Sequence, residues 1–196
     1  MSCHGNILNF IDSLPPCAWF ATQQVLNLGT REAIDQTLHR LVKCGYLTRI
    51  AWGVFTLRFG EQTFEPLAVA TFKAKMFKKK VTIHGLDIAR RIGLIAEPAE
   101  HPLYSVYGVS SCFQSQKKEI TLKSHSARKI ALEGSSIGET ISALWFLGRE
   151  NCDFETVQTA LRTLSKDDIR ELGQSADRMP GWLTRMIRYG ISFQTG

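Results

Sequence analysis

Apolar positions along the chain fall into short runs whose spacing switches from helical to alternating and back. Ile7, Leu8, Phe10, Ile11 and Leu14 largely share one helical face, and Pro15-Pro16 stops the helix they predict. Thr22 is the expected N-cap of a brief helix over residues 23–28, with Gly29 as its C′ residue. A longer amphipathic helix follows, capped by Thr30. Ile34, Leu38, Leu41 and Val42 form its apolar stripe, and Gly45 ends it. Residues 46–57 predict two short strands with a turn around Ala51-Trp52-Gly53.

Beyond this point helices and strands mix. Gly60-Glu61-Gln62 reads as a loop, Pro66 as the first position of a helix to about Phe77, and residues 86–92 as a second helix ended by Gly93. Residues 103–107 and 119–123 have strand character, and 128–132 are expected as a third strand. The tail reads as helices: one capped near Ser136 and running through Leu147, one over 154–164 capped by Asp153, one opened by Ser165, and one over 182–188 after Pro180-Gly181. The expected fold class is α+β. A winged helix-turn-helix occupies residues 1–60, and a mixed α+β segment followed by a C-terminal helical bundle occupies 61–196.

Charge adds a direction to this picture. The formal net charge is +6, which permits an anionic partner. Residues 1–60 carry 5 Lys/Arg against 3 Asp/Glu, residues 61–130 carry 12 against 6, and residues 131–196 carry 7 against 9. The basic excess therefore lies in the middle third, and the mildly acidic last third is a poor place to hold phosphates.

The first five residues have neither a basic cluster nor a long apolar run, so no signal peptide is expected. The apolar stretch 137–147 is too short to span a bilayer. These features predict a cytoplasmic protein without a membrane partner. Five cysteines, Cys3, Cys17, Cys44, Cys112 and Cys152, form no C-x-x-C pair and are expected as reduced, mostly buried thiols.

No catalytic pattern is legible. Neither G-x-x-x-x-G-K-[ST] nor H-E-x-x-H occurs in the sequence, and no enzyme, metal or cofactor is expected. Ser135-Ser136-Ile137-Gly138 lacks the lysine of a phosphate loop and reads as a helix N-cap. Asp167-Asp168 suits the first turn of a helix, where the macrodipole favours acids. His39, His84, His101 and His125 are scattered along the chain.

The helix after Thr30 carries the best candidate chemistry. With its apolar stripe inward, a rotation of roughly 100° per residue turns Glu32, Gln36, His39, Arg40 and Lys43 outward. Thr30 and Arg31 stand at its N-terminus, the end that enters the major groove in a helix-turn-helix. Arg31 and Gln36 are of the types that make bidentate contacts to guanine and adenine edges. Thr30 suits a phosphate, and so do Arg40 and Lys43. The alternative is an ordinary solvated face. Arg49 and Trp52 suit a wing along the minor groove or backbone, though a Trp near a hairpin also commonly packs on its own domain. Lys78 and Lys79, in a charge run with Lys73, Lys75 and Lys80, are either solvated surface or a supporting phosphate patch.

The block "SLPPCAWFATQQVLNLGTREAIDQTLHRLVKCGYLTRIAWGVF" resembles the N-terminal winged helix of AbiEi-type antitoxins, and more closely their short bacterial relatives. The matching positions are Leu28-Gly29-Thr30-Arg31, Thr37-Leu38-His39-Arg40-Leu41 and residues 45–55. Weaker similarity continues through "IHGLDIARRIGLI", "YSVYGVSS", "ITLKSHSARKI" and "DDIRELGQSADRMPGWLTRMI". The resemblance implies a DNA-binding antitoxin of a type IV toxin–antitoxin system that represses its own operon. Its expected partners are double-stranded operator DNA and a nucleotidyltransferase-like toxin. Residues 61–196 would then serve dimerisation or toxin interaction, and a homodimer or two cooperating monomers on an inverted repeat is the natural mode. Trp52 stands where the relatives carry Arg before the wing glycine, and the chain is shorter than full antitoxins of this type. The alternative is a protein-interaction module whose C-terminal helices bind a partner without DNA recognition.

Overall fold

The computed structural model opens with helix α1, Cys3–Asp12, whose N-cap Ser2 accepts a hydrogen bond from Gly5 N through its Oγ at 3.2 Å. The structure describes residues 2–57, 63–98, 101–130, 134–175 and 178–193. It is a mixed α+β protein. The chain divides into two units, Met1–Lys80 with Cys112–Ile120, and Val81–Ser111 with Thr121–Gly196. The expected boundary between residues 60 and 61 lies outside the described residues.

In the first unit, α1 is followed by strand β1 (Trp19–Ala21), a 3-10 helix (Thr22–Leu28) and helix α2 (Arg31–Lys43). Strands β2 (Leu47–Ala51) and β3 (Val54–Leu57) then form a hairpin, and helix α3 spans Pro66–Met76. Strand β1 pairs antiparallel with β3, and β3 with β2. Strand β6 (Ser111–Ser115) joins β2 through Ala51↔Ser115, where Ser115 Oγ donates to Ile50 O at 2.8 Å. Ile7, Ile11, Phe20, Val25, Ile34, Leu38, Leu41, Leu47 and Phe55 make the core. The apolar stripe of α2 is thus buried through Ile34, Leu38 and Leu41, and Val42 lies at its edge.

The end of α2 follows the sequence reading closely. Gly45 is left-handed at φ 78, Gly45 N donates to Val42 O at 3.1 Å, and Tyr46 N donates to Leu41 O at 2.9 Å. These two bonds satisfy carbonyls that the last turn of a helix leaves open. The 3-10 segment departs from expectation. Thr22 lies inside it rather than capping it, and the Ala21 N–H is met by Gln24 Oε1 at 2.8 Å. Gly29 is extended at φ 170, not left-handed. A side chain there would place its Cβ 2.6 Å from Cys3 Sγ, so α1 approaches this position closely and Cys3 would have to turn aside for it.

The second unit holds strands β4 (Val81–Ile83), β5 (Leu103–Tyr107) and most of β7 (Lys118–His125). Strand β4 runs antiparallel to β5, and β5 runs parallel to β7. Helix α4 (Gly85–Arg91) packs on α6 (Ser136–Leu147) so tightly that a Cβ on Gly85 would lie 2.4 Å from Ser142 O. Helices α6, α7 (Phe154–Leu161), α8 (Lys166–Gln174) and α9 (Gly181–Ser192) share a core that includes Ile141, Leu144, Val157, Leu161, Leu172, Leu183 and Ile187. Ser135, Asp153 and Ser165 cap the first three of these helices, each accepting a backbone N–H. The carboxyls of Asp153 and Asp168 are held below the usual range, chiefly by hydrogen bonds from Thr156 and Ser165 respectively.

Three expectations fail here. Residues 128–130 are not strand but part of helix α5 (Ala127–Ile130), because Ser126 Oγ accepts from Lys129 N at 3.4 Å and caps a turn of helix. Residues 131–132 of that expected strand lie outside the described set. The helix after Asp153 stops at Leu161, three residues short of 164. Cysteine burial is also less than expected: Cys17, Cys44 and Cys112 are exposed, and only Cys152 is fully enclosed. Burial pushes the Cys152 thiol up to about 11, with the Asp153 carboxylate adding to the shift. Among the described residues no helix is long and apolar enough to cross a membrane.

Candidate nucleic-acid interface

Thr30 sets the start of α2. Its backbone is extended, and its Oγ1 accepts from Ala33 N at 3.3 Å. The hydroxyl proton stays available for an outside acceptor. Arg31 is the first helical residue, and its Nε donates to Asp35 Oδ2 at 2.8 Å across one exposed turn. Such a pair restrains the guanidinium while leaving its terminal nitrogens open.

The hairpin tip is fastened from two sides. Thr22 N donates to Gly53 O at 2.9 Å, and Lys73 Nζ of α3 donates to Trp52 O at 3.2 Å. Gly53 takes φ 74, a conformation that suits glycine, and this lets the strands reverse in two residues. Trp52 does not fold back into the core. It is 73% exposed, with the Arg49 guanidinium 5.3 Å from its ring centre and 5.6 Å from that of Phe55. Stacked in this way, a guanidinium is oriented but keeps its hydrogen-bond donors.

Helix α2 and the hairpin leave a groove of about 410 Å³, lined by Arg31, Asp35, His39, Arg49, Trp52 and Phe55 among others. Of the residues expected to bind DNA, Arg31, Arg49 and Trp52 therefore come together. Gln36, Arg40 and Lys43 are exposed but line no part of this groove. Helical rotation sets them roughly 120–180° from Arg31, on the outer face of α2. The expected set thus divides in two: Arg31 with the hairpin residues Arg49 and Trp52, and Gln36, Arg40 and Lys43 on the outer face of α2.

Lys78 and Lys79 have a local explanation. Lys78 is left-handed at φ 55, Lys78 N donates to Lys75 O, and Lys79 N donates to Ala74 O, so the lysine run closes the last turn of α3. Cations at a helix C-terminus are favoured by its dipole. Lys73, which the sequence placed in the same charge run, was not singled out for the site. It is half-buried, its Nζ lies 4.2 Å from the Phe113 ring centre, and burial pulls its pKa below the ordinary lysine value. Only tertiary packing brings it under the hairpin tip.

The second unit contains a different polar cluster that spacing could not reveal. The rings of His84 and His125 lie 5.1 Å apart, and His84 also meets Phe146 edge-on at 5.3 Å. His84 Nδ1 accepts from Leu86 N at 3.2 Å, so Nε2 carries the proton in the neutral ring. Both histidine Nε2 atoms, with the hydroxyls of Ser105 and Ser142, are buried without a hydrogen-bond partner among the described residues. Burial first, then the charges of His125, Lys129 and Lys123, bring the His84 pKa down to about 3. His125 is lowered in the same sense, mainly by burial. Among the described residues no group of three His, Cys, Asp or Glu could hold a metal ion.

The profile of DUF6088, a family of unknown function, matches residues 6–172. The chain belongs to that family. The DUF6088 match runs from within α1 through most of α8, so it includes both the groove and the histidine pair. Among curated proteins none matches this DUF6088 chain.

Proposed function

We propose that the first unit of this DUF6088 protein is a winged helix-turn-helix that binds double-stranded DNA, and that the protein is a sequence-specific transcriptional repressor. The observation that carries this reading is the convergence of Arg31, at the mouth of α2, with the Arg49–Trp52 hairpin across one open groove. The order α1, 3-10 helix, α2 and β2–β3 hairpin supports it, with α2 as the recognition helix and the hairpin as the wing. Gln36, Arg40 and Lys43 give α2 an outer face with one amide and two cations, suited to base edges and phosphates. An antitoxin that represses its own operon and pairs with a nucleotidyltransferase-like toxin is the specific form we favour, on the resemblance of the first sixty residues. Binding as a homodimer to an inverted repeat goes with it. The reading places the protein in the cytoplasm, without catalytic activity.

A gel shift with the DNA upstream of the protein's own gene tests this. A retarded band at low salt that weakens with Arg31→Ala and with Arg40→Ala is expected. No shift, or a shift that neither substitution changes, would falsify the proposal.

A second reading has one observation in its favour. Phe154, Tyr189 and Phe193 pack mutually edge-on at 5.1–5.4 Å and are all exposed, an aromatic patch suited to a protein partner. Co-purification with a neighbouring gene product, lost in Tyr189→Ala and kept in Arg31→Ala, would favour it.

A further inference from the structure

Beside the groove lies a separate cavity of about 340 Å³ within the first unit. That size is within the range of small-molecule sites, roughly 300–1,000 Å³. Its walls are largely apolar and include Leu26, Trp52, Met76 and Phe77. Leu26, Trp52 and Phe77 are 42%, 73% and 61% exposed, so three large apolar side chains of this unit converge on one opening. Large apolar groups that gather around a concavity mark a binding surface more often than groups scattered singly.

The polar lining is one-signed. Lys73 and Arg31 both reach the cavity, and among the described residues no aspartate or glutamate lines it. Arg31 has a carboxylate partner in Asp35. Lys73 has none among the described residues: its ammonium meets only the Trp52 carbonyl and the face of Phe113. An ammonium carries three donors, so two remain for a ligand. A half-buried cation without an anion is costly, and an incoming anionic group would offset that cost. Arg49, which stacks on Trp52, lines the groove but not the cavity. The indole therefore presents its remaining surface to this opening.

We infer that this cavity binds a small anionic ligand with a flat apolar body, such as a one- or two-ring aromatic carboxylate. Lys73 pairs with its anionic group while Trp52, Leu26 and Phe77 enclose its ring. The site stands independently of DNA binding, although Trp52 and Arg31 border both the cavity and the groove.

The test uses the full-length protein without DNA, titrated with 2-naphthoate and with neutral 2-naphthamide. Calorimetry gives the affinities, and amide shifts map the site. Naphthoate should bind about tenfold more tightly than naphthamide, the size of a well-made charged hydrogen bond. Shifts should centre on residues 22–26, 52–54 and 73–77. Lys73→Met should remove the preference for the anion. Phe77→Ser, at an exposed position that leaves the core intact, should weaken both ligands. Equal affinities for the two probes, no binding of either, shifts centred elsewhere, or an anion preference that survives in Lys73→Met would each overturn the proposal.

Discussion

The tip of the β2–β3 hairpin and the surroundings of His84 treat polar groups in opposite ways. At and beside the hairpin, Arg31, Arg49 and Trp52 stand in solvent, Arg31 held by Asp35 and Arg49 stacked on Trp52 and Phe55, without being buried. Around His84, four side-chain polar atoms are sealed in without partners among the described residues. An exposed charge keeps its hydration, so changing it alters binding and leaves folding nearly untouched. A buried polar atom without a partner costs about 1–3 kcal/mol, so changes there act on stability first.

The largest effect that would break this contrast is expected at Gly85. A Cβ there meets Ser142 O at 2.4 Å and Phe146 Cβ at 2.9 Å, both on the tightly packed helix α6. Gly85→Ala should cost about 3 kcal/mol in urea unfolding, the upper end of ordinary overpacking. Gly29→Ala, where the obstructing atom is the rotatable Sγ of Cys3, should cost less than half as much. Equal costs would remove the distinction between a fixed and a yielding neighbour.

Acid is the next lever. His84 is neutral in the fold down to about pH 3, whereas in the unfolded chain it takes a proton near 6.5. The unfolded state therefore binds more protons below pH 6.5. Stability is fully present above that value and falls as the pH drops towards 3. The slope should approach about 1.4 kcal/mol per pH unit for His84, with His125 adding to it in the same direction. His84→Asn keeps an acceptor for the Leu86 N–H and removes one titrating group, so unfolding followed between pH 7 and 4 should show a shallower decline. A slope unchanged by His84→Asn would show that the buried ring is not what couples folding to pH.

Thr30 should give a smaller effect of the same kind in the first unit. Losing its cap on the Ala33 N–H in Thr30→Ala should lower stability by about 1 kcal/mol. DNA affinity should fall by more than that loss predicts if the hydroxyl also meets a phosphate. A fall in stability with affinity unchanged would assign Thr30 to capping alone.

Elements with strong local signals were legible in the sequence. The Thr30 cap, the buried stripe Ile34–Leu38–Leu41 and the left-handed Gly45 all state helix α2 within its own residues, and Trp52-Gly53 states the hairpin turn. Strand β1 was not legible. Trp19–Ala21 is three residues long, and it exists because β3 offers it an antiparallel edge and because Phe64 and Phe72 pack on Trp19. Helix α5 is four residues long, too short for an apolar period, and its one local signal is the Ser126 cap. In the candidate site, Arg31 and Arg49 were visible as residue types, but their meeting across a groove was not. Neither was the reach of Lys73 to the Trp52 carbonyl, nor the meeting of His84 with His125, since both depend on contacts between segments far apart in the chain.

The central claim is that the Arg31–Arg49–Trp52 groove meets DNA. Fluorescence anisotropy with DNA from upstream of the gene, measured over a salt series for the wild type and for Arg31→Ala/Arg49→Ala, tests it most directly. The account predicts that the wild type prefers its own upstream DNA by about a thousandfold or more over unrelated duplex. The double variant should lose about a hundredfold in affinity and show a shallower salt dependence, with its unfolding midpoint in urea nearly unchanged. Equal binding to own and unrelated DNA, or a double variant that binds as the wild type does, would contradict it.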